Sequence, residues 1–351
     1  MNLPLAFREQ AISCERLGSP FMAQLLRLLA EHWLHGSKLD AALARFTGDI
    51  GPAGASLPLR TAGGLHALVL TGQAPELAAV YPPQKVSDQA LWQAVQAAMI
   101  AHEDFMLDWV TSPPQTNEVR RSAALMGGAG VAAERFDLPF VISELGASGG
   151  LNLMWDHYAL SLPGLLIGPE NPAMTLSPEW TGPMPPVTRP KIAARAGVDL
   201  NPLDPANATD LLRLIAYLWP DQPHRLALTR AAASVMTAEI VQGDAIDWLD
   251  TRLNEAPEGH VHLIQHTVAW QYFPPDAQER GRSLIEATGQ RATETRPLAW
   301  LSMESDGDTT GAVGAAITLR LWPGDVTLRL GRGDFHGRWV KWVGANGQDQ
   351  T

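Results

Sequence analysis

The sequence predicts an α/β protein in which an all-helical N-terminal domain precedes a mostly parallel sheet. Between about residues 4 and 111, apolar residues recur at helical spacing. From residue 139 onward, apolar runs of strand length alternate with helical stretches, as in parallel sheets whose strands are joined by helices. Near the C-terminus, Pro323-Gly324-Asp325 forms a turn between two apolar runs, which predicts an antiparallel hairpin. We therefore expect a helical domain over residues 1–115 and an α/β domain over residues 116–351.

The composition is that of a globular protein with an acidic balance. Of the 351 residues, 46% are hydrophobic and 18% are charged, which suffices for a core and excludes wholesale disorder. The net charge of −11 argues against a nucleic-acid partner. Cys14 is the only cysteine, so we expect neither a disulfide framework nor a cysteine-rich metal site. No signal peptide and no apolar stretch of membrane-spanning length is visible, so we expect a cytoplasmic protein without a membrane partner.

Start and stop signals divide the N-terminal region into separate helices. Pro20 is a helix start, and Gly36 ends the apolar pattern that follows it. Ser37 and Ser87 are predicted to cap two further helices. Ser112-Pro113-Pro114 ends the last helix, because proline lacks a backbone donor and restricts the residue before it.

The polar segment Gln115-Thr116-Asn117-Glu118 joins the two predicted domains. Asn117 is predicted to cap the helix that runs toward Ala133. Since that helix leads into the first strand and packs antiparallel to it, we expect the segment to lie at the carboxyl edge of the sheet. Two interpretations stay open: a capped surface loop, or a segment that faces a substrate, with Glu118 in the site.

The stretch from Val141 to Leu153 is the one around which the α/β domain is organised. An apolar run contains Glu144 near its end and leads into Gly146-Ala147-Ser148-Gly149-Gly150 and a helix. Small residues bring backbone N–H groups close to a ligand, and the helix N-terminus adds a partial positive field. Because open α/β sheets bind ligands at the carboxyl ends of their strands, four residues are candidates: Glu144, Gly146, Ser148 and Gly150. The alternative is a tight turn without a ligand.

Two further acids follow predicted strands. Asp199 ends one strand, and Asp244 lies between another strand and its helix. A carboxylate can hold two donors at once, which suits a ligand with paired hydroxyl groups. Taken alone, Asp199 fits a solvated turn equally well. A Pro-rich stretch at about residues 162–191 precedes the Asp199 strand, and we expect an irregular or hairpin insertion outside the parallel sheet.

The run from His260 to Pro274 predicts the central strand, with His266 and Tyr272 toward its carboxyl end. An imidazole can take a proton near neutral pH, which makes His266 the candidate catalytic base. The alternative for His266 is a hydrogen-bonded histidine of the core. His260 and His262 share a face at the amino end of the strand, far from the expected site, so we do not expect a metal there.

In order and spacing, the Gly-rich loop and the three strand-end acids resemble the motifs of the class I S-adenosylmethionine-dependent methyltransferases. The resemblance covers roughly residues 120–343 and implies a Rossmann-like, methyltransferase-type sheet that binds S-adenosyl-L-methionine. It implies that Glu144 lies near the amino acid portion of the cofactor, that Asp199 accepts from the ribose hydroxyls and that Asp244 accepts from the adenine amino group. Ser148 departs from the usual central glycine of the motif, and Glu144 departs from the commoner aspartate.

The activity implied by this resemblance is methyl transfer to a small molecule or a protein side chain. The site has to place a nucleophile in line with the methyl group and take its proton. His266 is the expected base, with Tyr272 or Glu118 as substitutes. Helical N-terminal segments of such enzymes often cover the cofactor, which implies that residues 1–115 form a lid.

Two alternatives to a methyltransferase stay open. One is a regulatory protein that binds the cofactor without catalysis. The other is a serine or histidine hydrolase, because Gly146, Ser148 and Gly150 also spell the pattern Gly-x-Ser-x-Gly. From Pro113-Pro114 to His336-Gly337-Arg338-Trp339, the chain is in addition similar to an uncharacterised bacterial family known only as a domain of unknown function. That second resemblance implies no activity.

Overall fold

The protein forms two compact units. A computed structural model describes its residues 2–51, 54–307 and 313–345. The first unit comprises Met1–Thr116 and Ala206–Ala227, and the second comprises Asn117–Pro205 and Leu228–Thr351. Nothing in the sequence predicts the return of the chain to the first unit over residues 206–227, a segment that the expected boundary at residue 115 assigns to the α/β domain.

Helices account for all the regular structure that the described residues of the first unit contain. The α-helices of the chain are α1 Leu3–Arg16, α2 Pro20–His32, α3 Lys38–Leu43, α4 Leu57–Leu70, α5 Pro75–Ala78, α6 Asp88–Ala101, α7 Glu103–Trp109, α8 Ser122–Arg135, α9 Ala208–Ala216, α10 Pro223–Ala233, α11 Ala245–Glu255 and α12 Pro275–Gly289. Among the described residues, the 3-10 helices are η1 Val119–Arg121, η2 Leu151–His157 and η3 Trp270–Tyr272. In the described part of the chain, none of the helices is long and apolar enough to cross a membrane.

Helices α3 and α6 of the first unit begin at the predicted caps, and α2 begins at the predicted start, Pro20. Ser19 Oγ accepts a hydrogen bond from the N–H of Met22 at 3.2 Å, directly before Pro20 in the first turn of α2. Ser37 and Ser87 accept in the same way at the starts of α3 and α6. Each bond satisfies a backbone donor that has no partner inside the helix, which explains why these start signals are read correctly from the sequence.

Two glycines inside α4 serve close packing in the first unit. A Cβ on Gly63 would lie 2.5 Å from Cε1 of Tyr217, and a Cβ on Gly64 would lie 2.8 Å from Sδ of Met106. Helix α4 therefore packs its backbone directly against neighbouring side chains, which only glycine permits. The core around it is built from large apolar side chains: Phe7, Leu25, Leu26, Leu29, Leu57, Leu65 and Leu68.

The second unit is built on the strands of the chain. These are β1 Phe140–Leu145, β2 Ala159–Leu162, β3 Leu165–Ile167, β4 Thr175–Leu176, β5 Glu179–Thr181, β6 Ile192–Asp199, β7 Glu239–Gln242, β8 Val261–Thr267, β9 Leu298–Glu304, β10 Ala315–Trp322, β11 Val326–Gly333 and β12 Trp339–Trp342. Nine of them form one sheet in the order β5-β12-β11-β10-β9-β8-β1-β6-β7. Most neighbouring pairs in it are parallel, which confirms a mixed α/β architecture with a mostly parallel sheet.

The order of the parallel strands changes direction at β1. The chain forms β1 first, adds β6 and β7 on one side of it, and then adds β8 and β9 on the other side. Strand β8, predicted as the central strand, is an interior strand between β1 and β9, and the middle of the five parallel strands is β1. In open α/β sheets, ligands bind outside the carboxyl ends of the strands, at the point where the strand order reverses. Here that point lies between β1 and β8.

The C-terminal hairpin and the Pro-rich insertion flank this parallel region. Strands β10 and β11 pair in antiparallel fashion around the predicted turn, which confirms the hairpin. Within the insertion, β2 and β3 pair as a hairpin, in a separate three-stranded sheet with β4. Strand β5, however, pairs in parallel with β12 at the edge of the main sheet. The insertion is thus not wholly outside the sheet. The sequence does not predict this, because pairing between short, distant strands has no local sequence signal.

Apolar layers cover both faces of the main sheet. On one face, α8 and η2 share a buried cluster with Ile142, Leu263 and Leu301. On the other face, α11 and α12 share a cluster with Leu145 and Ile264. Because successive side chains of a strand point to opposite faces, each strand contributes to both layers.

Candidate functional site

Three predicted binding residues lie at the carboxyl edge, which we define as the carboxyl ends of β1, β6, β7, β8 and β9. Glu144 is one residue from the end of β1, Asp199 is the last residue of β6, and Asp244 follows β7 by two residues. The strand register sets Glu144 opposite Gly197 of β6 and Gln265 of β8. The three acids therefore lie at or just beyond the carboxyl ends of three adjacent parallel strands.

The loop that connects β1 to η2, the β1 loop, is packed against other parts of the second unit. Gly146, Ser148 and Gly150 have φ angles of 66°, 53° and 71°, in the left-handed region that favours glycine. A Cβ on Gly146 would lie 2.6 Å from Cβ of Ala269, and a Cβ on Gly150 would lie 2.3 Å from Cε of Met236. Packing requires Gly146, because Cβ of Ala269 cannot swing aside, whereas at Gly150 the ends of the Met236 and Ile240 side chains would have to shift. The positive φ favours glycine at both positions, whether or not a ligand approaches them.

Asp199 fixes the conformation of the β1 loop. Its Oδ2 accepts from the N–H of Ser148 at 2.8 Å, and its Oδ1 accepts from the N–H of Asn201 at 2.9 Å. The N–H of Ala147 donates to the carbonyl of Val198 at 3.0 Å and adds to the attachment. Hydrogen bonds to a carboxylate are stronger than bonds between neutral groups, so Asp199 stabilises the positive φ of Ser148. This positioning role is not predictable from the place of an acid after a strand.

Glu144 is a buried carboxyl group. It is 2% exposed, and its Oε2 accepts from Nε2 of Gln265 at 3.3 Å. Burial raises the pKa of Glu144 to about 8, helped by the charge of Asp199 and opposed by the Gln265 hydrogen bond and the charge of Arg121. The group is mostly protonated at pH 7 and can exchange a proton near neutral pH.

Gln265, which the sequence does not single out, connects Glu144 to the helical layer. Its Nε2 also donates to the carbonyl of Asn152 at 3.1 Å, and its Oε1 accepts from Nε1 of Trp155 at 3.0 Å. All four residues are buried. An amide in the middle of a strand carries no distinctive sequence signal, so only the register between β1 and β8 reveals this contact.

Asn117 lies at the carboxyl edge, as expected, but it does not cap the helix that follows it in the chain. Its Oδ1 accepts from the N–H of Leu151 at 2.7 Å, directly after the β1 loop. The predicted cap is wrong because the chain first forms η1, whose N-cap is Glu118, and enters α8 only at Ser122. Glu118 is buried and forms an ion pair with Arg120 at 3.0 Å, so its carboxylate is engaged within the protein.

Arg121 attaches the same segment to the end of β8. Its Nη1 donates to the carbonyl of Thr267 at 3.2 Å, and its Nε donates to the carbonyl of Phe335 at 2.8 Å. The side chain is buried, and its charge lowers the pKa of Glu144 against the effect of burial. The sequence offers no signal for this role, since Arg120-Arg121 looks like an ordinary polar pair before a helix.

His266 is hydrogen-bonded at both ring nitrogens. Its Nδ1 lies 2.7 Å from Oε1 of Glu304, and its Nε2 lies 2.8 Å from Nε1 of Trp300. An indole N–H can only donate, so Nε2 accepts and the neutral ring carries its hydrogen on Nδ1. The same Glu304 oxygen accepts from the N–H groups of Ala269 and Trp270 at 3.0 and 3.2 Å. The interpretation of His266 as a hydrogen-bonded core histidine is the one that this geometry favours.

His266 and Glu144 lie on opposite faces of the sheet. Glu144 is opposite Gln265 in the register, and the next residue of β8 points to the other face. A single pocket that contains both side chains, as expected from the sequence, is therefore not formed. His266 instead stacks on Trp270, with ring centroids 5.1 Å apart, in the layer formed with α11 and α12.

Tyr272 and Asp244 are the accessible members of the predicted set. Tyr272 is 65% exposed in η3, beyond the carboxyl end of β8. Asp244 is the N-cap of α11, where its Oδ1 accepts from the N–H groups of Ile246 and Asp247 at 2.9 and 3.0 Å. Capping explains an aspartate at this position without a ligand, and it also fixes the carboxylate at the end of β7.

The carboxyl edge combines hydrogen-bond acceptors with one group that titrates near neutral pH. Asp199 and Asp244 present carboxylate oxygens that backbone amides hold in place. Glu144 supplies the exchangeable proton. Over residues 2–51, 54–307 and 313–345, no group of three or more His, Cys, Asp or Glu side chains is arranged to hold a metal ion. The expected lid role of residues 1–115 stays a prediction.

The fold and the site define a mixed α/β protein with acidic residues at the ends of adjacent parallel strands. The chain belongs to the family described as an uncharacterized protein conserved in bacteria, DUF2332, whose pattern matches residues 5–342. The expected membership of an uncharacterised bacterial family is thereby confirmed over nearly the whole chain. No curated protein matches it.

Proposed function

We propose that the second unit binds S-adenosyl-L-methionine at the carboxyl edge and transfers its methyl group to a small molecule or a protein side chain. One observation carries this inference: Glu144, Asp199 and Asp244 lie at or just beyond the carboxyl ends of three adjacent parallel strands, β1, β6 and β7. These strands lie beside the reversal of strand order, where open α/β sheets bind nucleotide-like ligands. The order of the five parallel strands supports a Rossmann-like sheet of the methyltransferase type.

The acids would have different tasks toward this cofactor. Asp199 would accept from the ribose hydroxyls, since a carboxylate has about four acceptor positions and two amides fix its orientation. Asp244, oriented by its capping bonds, would accept from the adenine amino group. Glu144, protonated at pH 7, would donate a hydrogen bond to the amino acid portion. The positions in front of Gly146 and Gly150 are filled by protein side chains, so we assign the ligand contacts to the acids.

The cofactor supplies an electrophilic methyl group, and the protein has to orient the acceptor and remove its proton. His266 does not suit this task, because Glu304 and Trp300 occupy both of its ring nitrogens. Tyr272 is the predicted catalytic residue that a substrate can reach, since it is exposed beyond the end of β8. Glu144 is a buried site at which a proton can be held near neutral pH.

Titration calorimetry of the full chain with S-adenosylmethionine and S-adenosylhomocysteine tests this function. We expect both to bind, and we expect Asp199→Asn to weaken binding by about 1.5–3 kcal/mol, roughly ten- to a hundredfold, because it removes a charged acceptor. The control is Asp137→Asn, which changes an exposed carboxylate shortly before β1, at the opposite end of that strand from the proposed site. The control should bind like the wild type.

Three outcomes of this experiment would decide against parts of the proposal. The absence of both heat and thermal shift at millimolar ligand would contradict cofactor binding. Equal affinity of Asp199→Asn and wild type would show that Asp199 only positions the β1 loop. Tight binding without methyl transfer to any acceptor would favour a regulatory protein that binds the cofactor.

One observation favours a second candidate function, hydrolysis by a serine nucleophile. Ser148 has a φ of 53° in the turn between β1 and η2, within Gly146-Ala147-Ser148-Gly149-Gly150. Nucleophiles of Gly-x-Ser-x-Gly motifs lie on strained strand-to-helix turns of this kind. Labelling by a fluorophosphonate probe that Ser148→Ala abolishes would support hydrolysis. No labelling of the folded wild type would count against it.

A further inference from the structure

Glu144 is a buried carboxyl group that no cation pairs with directly. It is 2% exposed, and within the described part of the chain it forms no ion pair. The hydrogen bond that it does form there is the one from Nε2 of Gln265 to its Oε2, at 3.3 Å. A buried carboxylate without a paired charge is strongly disfavoured, so the group carries its hydrogen at pH 7, in agreement with its raised pKa.

Two neighbours determine the orientation of the Gln265 amide. An indole N–H only donates, so the atom of Gln265 that lies 3.0 Å from Nε1 of Trp155 is the oxygen. A backbone carbonyl only accepts, so the atom that lies 3.1 Å from the carbonyl oxygen of Asn152 is the nitrogen. Exchanging the two atoms would set donor against donor and acceptor against acceptor in a buried layer. The second hydrogen of the amide nitrogen is therefore donated to Glu144.

The orientation of Gln265 in turn decides which oxygen of Glu144 carries the hydrogen. Oε2 accepts from the amide, and the carbonyl oxygen of a neutral carboxyl group is its better acceptor, so the hydrogen lies on Oε1. Glu144 is one residue from the end of β1, which sets this O–H group at the carboxyl edge. At neutral pH Glu144 is therefore a donor at that edge, whereas Asp199 and Asp244 accept.

Three other ionisable groups act on Glu144 from the elements around it. Arg121 in η1 favours the ionised form, and Asp199 at the end of β6 disfavours it. Tyr158 follows η2, and its own pKa is raised by burial and by the charge of Glu144, so its hydroxyl is neutral at pH 7. After burial, the hydrogen bond from Gln265 has the largest effect on the pKa of Glu144.

We infer that Gln265 is a positioning residue of the carboxyl edge, which directs the hydrogen of Glu144 to Oε1 so that Glu144 contacts a ligand group that accepts. This role rests on the proposed function, and toward S-adenosylmethionine it selects the carboxylate of the amino acid portion over the ammonium group. A carboxylate only accepts and an ammonium group only donates. A hydrogen bond from a carboxyl O–H to a carboxylate is also charge-assisted, which makes it short and strong.

Infrared spectroscopy of the ligand-free full chain tests the role of Gln265 independently of any cofactor. The carboxyl band of protonated Glu144 is followed between pH 5 and pH 10 and is identified by its loss in Glu144→Gln. We expect a titration midpoint at about 8 in the wild type. We expect a higher midpoint in Gln265→Met, with proton binding about tenfold tighter, because methionine has no N–H that stabilises the ionised form.

Two tryptophan variants provide a matched comparison. Trp155→Phe removes the N–H that holds Oε1 of Gln265, and we expect a smaller rise of the midpoint, since the carbonyl of Asn152 still orients the amide. Trp180→Phe removes an indole donor to the carbonyl of Pro183, in the edge strand β5, and should leave the midpoint unchanged.

A raised midpoint in Gln265→Met supports the positioning role. An unchanged midpoint in that variant, or equal shifts in Trp155→Phe and Trp180→Phe, would overturn it. If Gln265→Met does not fold, the comparison of the two tryptophan variants decides in its place, and an unchanged midpoint in Trp155→Phe then contradicts the role.

The pH dependence of ligand affinity separates this role from the proposed function. Between pH 6 and pH 9 we expect the affinity of the wild type for S-adenosylhomocysteine to fall about tenfold, because Glu144 ionises and repels the ligand carboxylate. The analogue 5′-methylthioadenosine, which lacks the amino acid portion, should bind without this fall. A rise in the affinity for S-adenosylhomocysteine would assign the ammonium group to Glu144 and contradict the inference. Binding of neither ligand would contradict the cofactor site, whereas the infrared result for Gln265 does not depend on it.

Discussion

Glu144 combines a buried carboxyl group with a pKa close to neutral pH, and this combination has a measurable consequence. Its folded-state pKa of about 8 lies above the ordinary value of 4.5, mainly because burial disfavours the charged form. The stability that the neutral group contributes is complete below pH 4.5 and is lost as the pH rises through 8, since the unfolded chain gives up its proton first. Near neutral pH, the burial of this ionisable carboxyl group therefore lowers the free energy of unfolding of the protein.

We therefore expect Glu144→Gln to become more stable relative to the wild type as the pH rises from 4.5 to 8. Glutamine does not titrate and can still accept from Gln265, so the difference in unfolding free energy should grow by an amount on the order of 4 kcal/mol. Urea unfolding of both proteins at pH 5 and pH 8 measures it. Glu239→Gln on β7, an exposed strand position of the same unit, is the control. A difference for Glu144→Gln that does not vary with pH would contradict the raised pKa.

At the residue scale, the sequence predicts the positions of candidate site residues better than it predicts which residues contact them. Glu144, Asp199 and Asp244 are recognisable because each follows an apolar run. The contact of Glu144 with Gln265 joins residues 121 positions apart. Alternation along β8 predicts that Gln265 and His266 point to opposite faces, but only the register between strands decides which of them faces Glu144. That register is set by the packing of the whole unit.

At the scale of elements, the β1 loop shows how tightly the strand-to-helix connection is constrained. Gly150 has a φ of 71°, and a Cβ there would lie 2.3 Å from Cε of Met236 and 2.6 Å from Cδ1 of Ile240. Gly164, in the turn between β2 and β3, has a φ of 75°, and a Cβ there would have no atom within 4 Å. Gly150 and Gly164 therefore share a left-handed backbone conformation, but only Gly150 has close neighbouring side chains.

We expect Gly164→Ala to cost about 1 kcal/mol of unfolding free energy, because a side chain disfavours the left-handed backbone. Gly150→Ala should cost about 1–3 kcal/mol more, because Met236 and Ile240 have to move as well. Chemical denaturation of both variants beside the wild type measures the difference. Equal losses of unfolding free energy in the two variants would show that the side chains around Gly150 shift without cost. Glycine would then be favoured at this position by its backbone conformation alone.

Elements defined by local signals are predicted well, and elements defined by distant pairing are not. The Pro20 start of α2, the serine caps of α3 and α6 and the β10–β11 turn depend on neighbours within a few residues, so the sequence predicts them. Strands β5 and β12 are short, and more than half of the sequence of the α/β unit lies between them, so no local pattern predicts their pairing. Asn117 is a similar case, because its acceptor oxygen is used by the distant Leu151 instead of by the helix that follows.

At the scale of the whole molecule, the two units have separate apolar cores, and each unit is built from two separate stretches of the chain. The first unit takes residues 206–227 out of the middle of the α/β sequence. Pro-containing turns lie near both crossings, at residues 202–205 and 220–223, but such turns also connect elements within one domain, so they do not mark a change of unit. Membership of the DUF2332 family covers both units but brings no activity with it. The proposed function therefore depends on the arrangement of strands and acids in the second unit.

Photolabelling tests the central claim most directly, because it locates the cofactor and detects its binding in one measurement. Methyl-labelled S-adenosylmethionine is crosslinked to the folded full chain by ultraviolet light, and the labelled peptides are mapped. We expect label in peptides from residues 140–158, 196–204 or 239–250 of the second unit, suppressed by excess S-adenosylhomocysteine. Label confined to the first unit, or no label above that of the unfolded chain, would contradict a cofactor site at the carboxyl edge.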